Sequence, residues 1–315
     1  MEGERPAKAR AVVLQSYPEG LPDPDKDFKL VEEPLPSTLN QGELLVRTLY
    51  LSVDPYMRIR LRPNSGDVYF PAFPLGKPLN GGGVGQVVES NDQDWAVGDI
   101  ISTSLEWRDY QVVSGKIGPW TRKLDRNSPL PHSTALGVLG MPGATAYFGL
   151  LDITHPKPGE TLLVSGAAGA VGSLVGQIGL IKGCKVVGIA GSDEKIAYLK
   201  KLGFHAGINY KTTTDMRAAI REACPEGVDI YFDNVGGETS DAALDNMNRF
   251  GRISICGDIS HYNEKEAVPM GPRTDFKLVV KDLKKEGFLV SRWQDRFSGL
   301  TLFLSECYRS SICCG

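Results

Sequence analysis

The residues with the clearest potential for chemistry form a run of glycine and alanine at 166–172, in which Ala167, Gly169 and Gly172 have the spacing Ala-x-Gly-x-x-Gly. An apolar run typical of a strand precedes it, and a helical pattern follows. Residues without bulk let the backbone turn sharply and approach a pyrophosphate, while the helix start offers N–H groups and positive partial charge. The run predicts a dinucleotide site, although Ala167 stands where the usual fingerprint has its first glycine. A tight packing seam between strand and helix is the alternative.

The choice between NAD and NADP depends on the tip of the second strand, which ends in Ile-Ala-Gly-Ser at 189–192. NAD sites usually place Asp or Glu at this tip to bind the ribose 2′-hydroxyl, and none is present here. Lys195 follows one helical turn later and could face a 2′-phosphate, and Tyr210 would flank the same pocket from the end of the third strand. The missing acid and the nearby base together indicate NADP, whereas Lys195 alone would be interpreted as a surface lysine.

Further cofactor contacts are expected at the carboxyl ends of the strands, where open parallel sheets bind their ligands. Asn234 follows the fourth predicted strand, and Cys256 and Gly257 close the fifth. Each of these could equally be an ordinary turn residue.

The sequence lacks the residue groupings that hydrolytic or metal-dependent catalysis requires. No Ser/His/Asp grouping, local carboxylate pair or Cys-x-x-Cys spacing occurs, and the four histidines are dispersed, so no metal is expected. The formal net charge of -3 does not indicate nucleic-acid binding.

Residues 161–181 carry no charge, but their five glycines favour a strand–turn–helix unit over a membrane helix. Isolated Cys184, Cys224 and Cys256 indicate a reducing compartment, and we expect a cytoplasmic protein without membrane or nucleic-acid partners.

The elements that position these residues fall into two parts. Short β-like runs separated by Pro and Gly predict a β-rich domain at 1–133, and alternating strands and helices predict a doubly wound parallel α/β sheet at 134–292. Residues 293–315 form an atypical tail. The predicted strands are 11–14, 43–51, 84–89, 99–103, 110–113, 161–165, 185–190, 207–210, 228–232, 252–256 and 288–290. Apolar residues at 276, 279, 280 and 283 predict an amphipathic helix before the last strand.

Five runs in this order resemble one protein family. They are Leu-Ser-Val-Asp-Pro-Tyr-Met-Arg at 51–58, Gly-Met-Pro-Gly-Ala-Thr-Ala-Tyr at 140–147, Ala-Ala-Gly-Ala-Val-Gly at 167–172, Tyr-Phe-Asp-Asn-Val-Gly-Gly at 231–237 and Cys-Gly-Asp-Ile-Ser-His-Tyr-Asn at 256–263. The chain resembles the zinc-free branch of the medium-chain dehydrogenase/reductases over about residues 8 to 300. Within that branch it is most similar to the prostaglandin reductases, also called leukotriene 12-hydroxydehydrogenases, and to the plant alkenal double-bond reductases.

The resemblance implies a chaperonin-10-like substrate domain joined to a Rossmann domain, assembled as a homodimer. It implies hydride transfer from NADPH to the β-carbon of an enone or enal, with oxidised lipids or eicosanoids as the substrate class. The family's cofactor contacts match Ala168, Gly169, Ala170, Val171, Lys195, Tyr210, Asn234, Cys256, Gly257, Asp258, Ile259, Ser260, His261, Tyr262, Phe288, Leu289 and Val290.

The family's substrate-side tyrosines match Tyr56 and Tyr262. Conjugate hydride addition places negative charge on the carbonyl oxygen, which a phenol can stabilise through a hydrogen bond without a metal. We expect Tyr262 to be this donor and Tyr56 to orient the substrate; packing of Tyr262 on the cofactor is the alternative. Zinc-using relatives carry Gly-His-Glu where this chain has Gly81-Gly82-Gly83, so zinc is expected to be absent.

The tail departs from the family. The family continues well beyond residue 294 with segments that return to the substrate domain, whereas this chain ends at Gly315 after a different sequence. The tail is interpreted as truncated or alternatively spliced, with weaker cofactor binding expected. Two alternatives to double-bond reduction stay open: quinone reduction or oxidation of a lipid hydroxyl on the same scaffold, and a catalytically impaired isoform that binds NADPH.

Overall fold

A computed structural model describes residues 5–63, 70–118, 120–264 and 274–297. These residues form two compact units. One comprises residues 5–136 with 263–264, and the other comprises 137–262 with 274–297. Most of the tail expected at 293–315 lies outside the described residues. Its first residue, Trp293, is buried and stacks on Phe148 with the ring centroids 5.2 Å apart.

The first unit is antiparallel. Strands β1 (Lys8–Leu14) and β2 (Phe28–Pro34) pair with each other, with the short helix α1 (Pro24–Asp27) between them. A second sheet has the order β6-β3-β4-β5-β7. Its strands are β3 (Glu43–Leu51), β4 (Asn80–Ser90), β5 (Ile100–Glu106), β6 (Tyr110–Ser114) and β7 (Arg122–Leu124). The helix α2 (Met57–Arg60) lies between β3 and β4 in the chain.

Strand β4 begins four residues before the predicted start at 84, because its glycines belong to the strand and not to a turn. A Cβ at Gly83 would lie 2.7 Å from Leu105 Cδ1 on the neighbouring strand, so the absence of a side chain allows close packing. Strands β2 and β7 were not predicted, since their alternating charged residues and short length resemble loops.

The second unit is a six-stranded parallel sheet in the order β10-β9-β8-β11-β12-β13, which confirms the predicted doubly wound Rossmann architecture. The strands are β8 (Thr161–Val164), β9 (Lys185–Ala190), β10 (Ala206–Asn209), β11 (Val228–Asp233), β12 (Met247–Ile255) and β13 (Lys284–Gly287). The helices are α3 (Met141–Thr154), α4 (Ala170–Ile181), α5 (Asp193–Lys201), α6 (Met216–Ala223), α7 (Gly237–Asp245) and α8 (Asp275–Val280).

The central strand β8 is buried on both faces, which explains its continuous apolar sequence. Leu162 and Val164 pack in one core with residues of α3, α4 and α5, while Leu163 packs in the other with residues of α6 and α7. Helix α4 lies very close to the sheet because its inner face is glycine. A Cβ at Gly176 would meet the ring of Phe204, and one at Gly179 would lie 2.5 Å from Leu162 Cδ2. Among the described residues, none of the helices combines the length and the apolar sequence that a membrane-spanning helix needs.

Two expectations about the end of the sheet are wrong. The last strand is β13 at 284–287 and not 288–290. Exposed lysines are compatible with a strand at the edge of a sheet. The apolar Phe288, which suggested a strand, instead packs against α3 and Trp293. The predicted helix is present as α8 but ends at Val280, and three of its four marker residues do not face the core. Phe276, Val279 and Val280 are 75%, 72% and 52% exposed, and Leu283 packs against the core.

Candidate active site

The glycine turn between β8 and α4 combines a left-handed residue with a close approach of the helix to the strand. Gly166 has a left-handed backbone with φ of 59°, so the chain reverses one residue before Ala167, whose side chain is buried. A Cβ at Gly172 would lie 2.8 Å from Ala167 Cα, so only glycine lets the helix approach the strand this closely. Because the left-handed residue is Gly166, the next residue, Ala167, which occupies the first position of the fingerprint, does not need to be glycine.

The N-terminus of α4 is open to a ligand. Gly169 is the N-cap residue, and no side chain among the described residues caps the helix. The first turn carries no acidic residue, and Gly169 and Ala170 are exposed while Ala168 and Val171 are half-buried. Backbone N–H groups and the positive end of the helix dipole therefore face outwards at this turn, which fits an anionic pyrophosphate.

The tips of β9 and β10 form the second part of the site. Tyr210 lies across Gly191, where a Cβ would be 2.8 Å from the ring atom Cε1 of the tyrosine. Ser192 caps α5 by accepting a hydrogen bond from the Lys195 backbone N–H at 3.3 Å, which sets the start of the helix that carries the exposed Lys195 side chain. The acidic residue closest to this tip, Asp193, accepts a hydrogen bond from Asn209 Nδ2 at 2.8 Å. A lysine and a tyrosine thus flank a strand tip without an acid, which fits a 2′-phosphate.

A buried carboxylate lies at the ends of the central strands, and the sequence analysis did not identify it. Asp233 Oδ1 accepts hydrogen bonds from Ser165 Oγ at 3.1 Å, from the Tyr231 hydroxyl at 2.9 Å, and from the backbone N–H groups of Val235 and Gly236, both at 3.0 Å. Burial, and then the adjacent carboxylate, hold the pKa of Tyr231 well above its ordinary value. An acid ending a strand that is buried on both faces is the signal that could have revealed it.

Asn234, a predicted cofactor contact, is held by the end of β8. Its side-chain Nδ2 donates to the Ser165 carbonyl at 2.7 Å, and its backbone N–H donates to Ser165 Oγ at 2.9 Å. The structure therefore joins Asn234 to the residue that immediately precedes the glycine turn.

The predicted contacts at 256–262 form one compact turn that packs on the start of α7. The backbone N–H groups of Cys256 and Gly257 donate to the Asp233 carbonyl at 2.8 and 3.1 Å. Ser260 Oγ donates to the Val235 carbonyl at 2.7 Å, after which the short 3₁₀ turn Ile259–His261 leads to Tyr262. Burial raises the pKa of the Cys256 thiol to about 12, so this cysteine stays protonated and unreactive.

A polar pair stabilises the same turn. His261 Nδ1 lies 2.8 Å from Asp258 Oδ1, and the Asp258 carboxylate lies against Gly236, where a Cβ would overlap it. Gly236 also has a positive φ of 74°. The glycine pair after β11 is therefore needed for both the backbone conformation and the close approach of this turn.

Tyr262 is half-buried at the end of this turn. Its hydroxyl accepts a hydrogen bond of 3.4 Å from the Asp258 backbone N–H, an interaction that uses a lone pair of the oxygen and not its hydrogen. Burial raises the pKa of Tyr262, so the phenol keeps its proton at neutral pH. The group has the protonation state that a hydrogen-bond donor to a carbonyl requires.

Among the predicted cofactor contacts at 288–290, the side chain of Phe288 lies in the core. The Phe288 side chain packs against Gly149, where a Cβ would lie 2.9 Å from its Cε1 atom, so it points into the core and not to the glycine turn. Any cofactor contact at Phe288, Leu289 and Val290 must therefore come from the backbone or from the partly exposed Leu289.

Tyr56 belongs to the first unit and is the N-cap residue of α2. Its ring packs on Phe70 with the centroids 5.1 Å apart, and its hydroxyl lies 3.5 Å from the place of a Cβ at Gly81. Burial, and to a smaller extent the Asp54 carboxylate, raise the pKa of Tyr56, so this phenol is also protonated at neutral pH.

The described residues do not fit a zinc ion. Within the ranges that the structure describes, no group of three or more His, Cys, Asp or Glu side chains could hold a metal. Gly83, which stands where zinc-using relatives have Glu, faces Leu105 and has no space for a side chain. No step of the reaction is therefore assigned to a metal.

Comparisons with known proteins agree with this geometry. Residues 10–118 match the family model described as the N-terminal domain of oxidoreductase, and residues 170–306 match the model described as zinc-binding dehydrogenase. The chain is 48% identical to prostaglandin reductase 1 of Mus musculus over 91% of this chain and 83% of that protein. It is 43% identical to the NADP(+)-dependent 2-alkenal reductase of Nicotiana tabacum over 89% of this chain and 81% of that protein.

Among solved structures, CurA from Vibrio vulnificus in complex with NADPH is similar, with a TM-score of 0.88 and 38% identity over 96% of this chain and 89% of that chain. The chain therefore belongs to the medium-chain dehydrogenase/reductase family, within the prostaglandin reductase and alkenal reductase group of NADP-dependent oxidoreductases.

Proposed function

We propose that the chain uses NADPH to reduce the carbon–carbon double bond of α,β-unsaturated ketones and aldehydes. The observation that carries the proposal is the protonated Tyr262 on a turn at the same edge of the sheet as the open N-terminus of α4. The names of the relatives from mouse and tobacco support the same reaction class.

The cofactor would be held by residues of the second unit. The backbone at Ala168, Gly169, Ala170 and Val171 would bind the pyrophosphate at the uncapped start of α4, while Lys195 and Tyr210 would contact the 2′-phosphate. Asn234 and the turn at 256–262 line the part of the edge that lies beside β11 and β12, where the nicotinamide would be placed. Backbone groups at 288–290 would complete the set of cofactor contacts.

The chain's own contribution to the chemistry comes from its tyrosines. When bound, NADPH supplies a hydride ion to the β-carbon of the alkene. Tyr262 donates a hydrogen bond to the carbonyl oxygen, where negative charge develops in the transition state. A proton from water then enters at the α-carbon and completes the reduction. Tyr56 orients the substrate. Oxidised lipids and eicosanoids are the substrate class we propose, in accord with the name of the mouse relative.

Incubation of the full chain with NADPH and 4-hydroxynonenal or a 15-oxo-prostaglandin tests this function. Loss of NADPH absorbance together with a product heavier by two hydrogen atoms and still containing its carbonyl group supports it. A hydroquinone from a quinone, without reduction of enones, would favour the alternative reductase. NADPH binding without turnover of any substrate would favour a catalytically impaired isoform.

A homodimer is also part of the proposal. The strand β13 ends the sheet, and no described residue pairs with its outer edge. The adjacent α8 exposes Phe276, Val279 and Val280, which is an apolar surface that a second copy could cover. Light scattering after size-exclusion chromatography should give twice the mass of the chain, and Val279→Glu should yield monomers. A wild-type monomer would contradict the proposal.

We further propose a cytoplasmic location, since the buried thiols of Cys184 and Cys224 are typical of a protein from a reducing compartment. Fractionation of cells that express the tagged chain, with the activity recovered from the cytosolic fraction, is the expected result.

A further inference from the structure

The buried carboxylate of Asp233 connects segments that are far apart in the sequence. Its Oδ1 atom accepts from Ser165, at the end of β8, and from the first backbone N–H groups after β11. Its Oδ2 atom accepts from Ser240 Oγ on α7. Its main-chain carbonyl accepts from Cys256 and Gly257 at the end of β12. Asp233, the last residue of β11, therefore contacts the ends of both neighbouring strands, β8 and β12, and joins three strand ends.

Each of these three strand ends leads into a segment of the proposed cofactor site. Ser165 is followed directly by the glycine turn. The residue after Asp233 is Asn234, whose side chain is tied back to the Ser165 carbonyl at 2.7 Å. Cys256 and Gly257 begin the turn that ends at Tyr262. A shift of the carboxylate would thus move the first two segments directly, and it would move the third through Val235, whose N–H donates to the carboxylate and whose carbonyl accepts from Ser260 Oγ at 2.7 Å.

The number of donors explains why an acid can occupy this place. A buried carboxylate costs free energy unless hydrogen bonds replace its hydration. Asp233 receives two hydroxyl and two backbone donors on Oδ1 and a further hydroxyl donor on Oδ2. An anion that collects converging donors from separate segments also determines where each segment lies, because every donor loses its partner if it moves.

We infer that Asp233 is a positioning residue that, with Ser165 and Ser240, fixes the turns that bind NADPH. The inference rests on the proposed cofactor site at this edge of the sheet. It assigns to Asp233 no contact with the cofactor itself. Its effect is on the affinity of the folded protein for NADPH, through the conformation of the glycine turn, Asn234 and the turn before Tyr262.

Single hydroxyl deletions test the inference in the full chain. Ser165→Ala and Ser240→Ala should each raise the Kd for NADPH about tenfold, equivalent to about 1.4 kcal/mol, because each removes a donor that holds the carboxylate in place. The double variant should raise the Kd by less than the product of the two single effects, since both hydroxyl groups act on the same carboxylate. The measurement is fluorescence titration with NADPH well below the melting temperature.

A matched control separates positioning from stability. Ser254 is also buried, and its Oγ donates to the Gly149 carbonyl at 2.7 Å, away from the carboxylate. Ser254→Ala should lower Tm but leave the Kd for NADPH unchanged. Asp233→Asn should bind NADPH more tightly than Asp233→Ala, because its amide oxygen can still accept hydrogen bonds at the place of Oδ1 and its NH₂ group can donate to Ser240 Oγ.

Three results would overturn the inference. They are an unchanged Kd in both serine variants, a strictly multiplicative double variant, and an Asp233→Asn protein that binds no better than Asp233→Ala. If Ser165→Ala does not fold, the half-buried Ser240 provides the same test. Normal NADPH binding with unaffected serine variants would leave the proposed function intact, whereas Lys195→Ala and Gly172→Ala variants with unchanged Kd would overturn the cofactor site as well.

Discussion

Replacement of Tyr262 by Phe removes the single atom on which the proposed chemistry depends. The hydroxyl accepts a hydrogen bond of 3.4 Å from the Asp258 N–H, which is long for an N–H donor and an oxygen acceptor. Loss of this hydrogen bond should therefore cost less than about 1 kcal/mol of folding free energy. A donor to an oxygen that becomes charged in the transition state contributes about 100-fold or more to kcat. Tyr262→Phe should thus lower kcat by about 100-fold while Tm and the Kd for NADPH change little.

The assay follows the absorbance of NADPH with 4-hydroxynonenal at saturating cofactor, with product mass as a second measurement. Tyr17→Phe is the matched control, because the Tyr17 hydroxyl donates to the Phe73 carbonyl at 2.9 Å and has no assigned role in the reaction. The control should retain kcat. Equal kcat for Tyr262→Phe and the wild type would refute the donor role, and a large rise in the Kd for NADPH would show that Tyr262 acts on cofactor binding instead.

The pH dependence gives an independent test of the same role. Burial raises the pKa of Tyr262 above its ordinary value, and only the protonated phenol can donate. Activity that depends on this proton should therefore persist through neutral pH and fall only as pH rises through the raised pKa. Tyr262→Phe should lack this alkaline decrease over the range where the protein stays folded. An identical decrease in the variant would assign it to another group.

Three further substitutions test the cofactor site and the core. Lys195→Ala should weaken NADPH binding about tenfold and NADH binding hardly at all, with the exposed Lys200→Ala as control; an equal loss for both cofactors would remove Lys195 from phosphate recognition. Gly172→Ala should cost about 1–3 kcal/mol of stability and weaken NADPH binding, because the new Cβ would lie 2.8 Å from Ala167 Cα; denaturant unfolding and NADPH titration measure both. Leu163→Ala should lower the free energy of unfolding by about 2–5 kcal/mol in denaturant titration, whereas the exposed Leu21→Ala should lower it by less than about 0.5 kcal/mol. Similar decreases in the two variants would contradict the assignment of Leu163 to the core.

The parts of the fold that could be predicted from the sequence are those where local pattern and tertiary packing agree. The strand, turn and helix around residues 161–181 have apolar residues, glycines and a helical pattern that all favour the same structure. The preference for NADP over NAD could be predicted at the tip of β9, because the absence of an acidic residue and the presence of a nearby lysine are visible in the sequence alone. Both observations depend on residues close together in the chain.

Other parts depend on neighbours that the sequence does not reveal. The edge strand β13 has exposed lysines and was placed four residues too late, at apolar Phe288, because a strand with one pairing neighbour need not be apolar. Asp233 was overlooked because its hydroxyl donors come from Ser165 and Ser240 as well as from nearby Tyr231, and their convergence exists only in the folded sheet.

The glycine-lined inner face of α4 has a consequence for how the cofactor site forms. Each glycine in a helix interior lowers its intrinsic helical preference by about 1 kcal/mol relative to alanine, and α4 has Gly172, Gly176 and Gly179 within twelve residues. Such a segment would be mostly coil when detached, so contact with β8 and Phe204 must supply the stabilisation. The end of α4 that we propose binds the nucleotide should therefore melt together with the sheet as one cooperative unit. Amide hydrogen exchange in this helix should then slow as NADPH concentration rises, because a ligand that binds only the folded form makes every opening of that unit rarer.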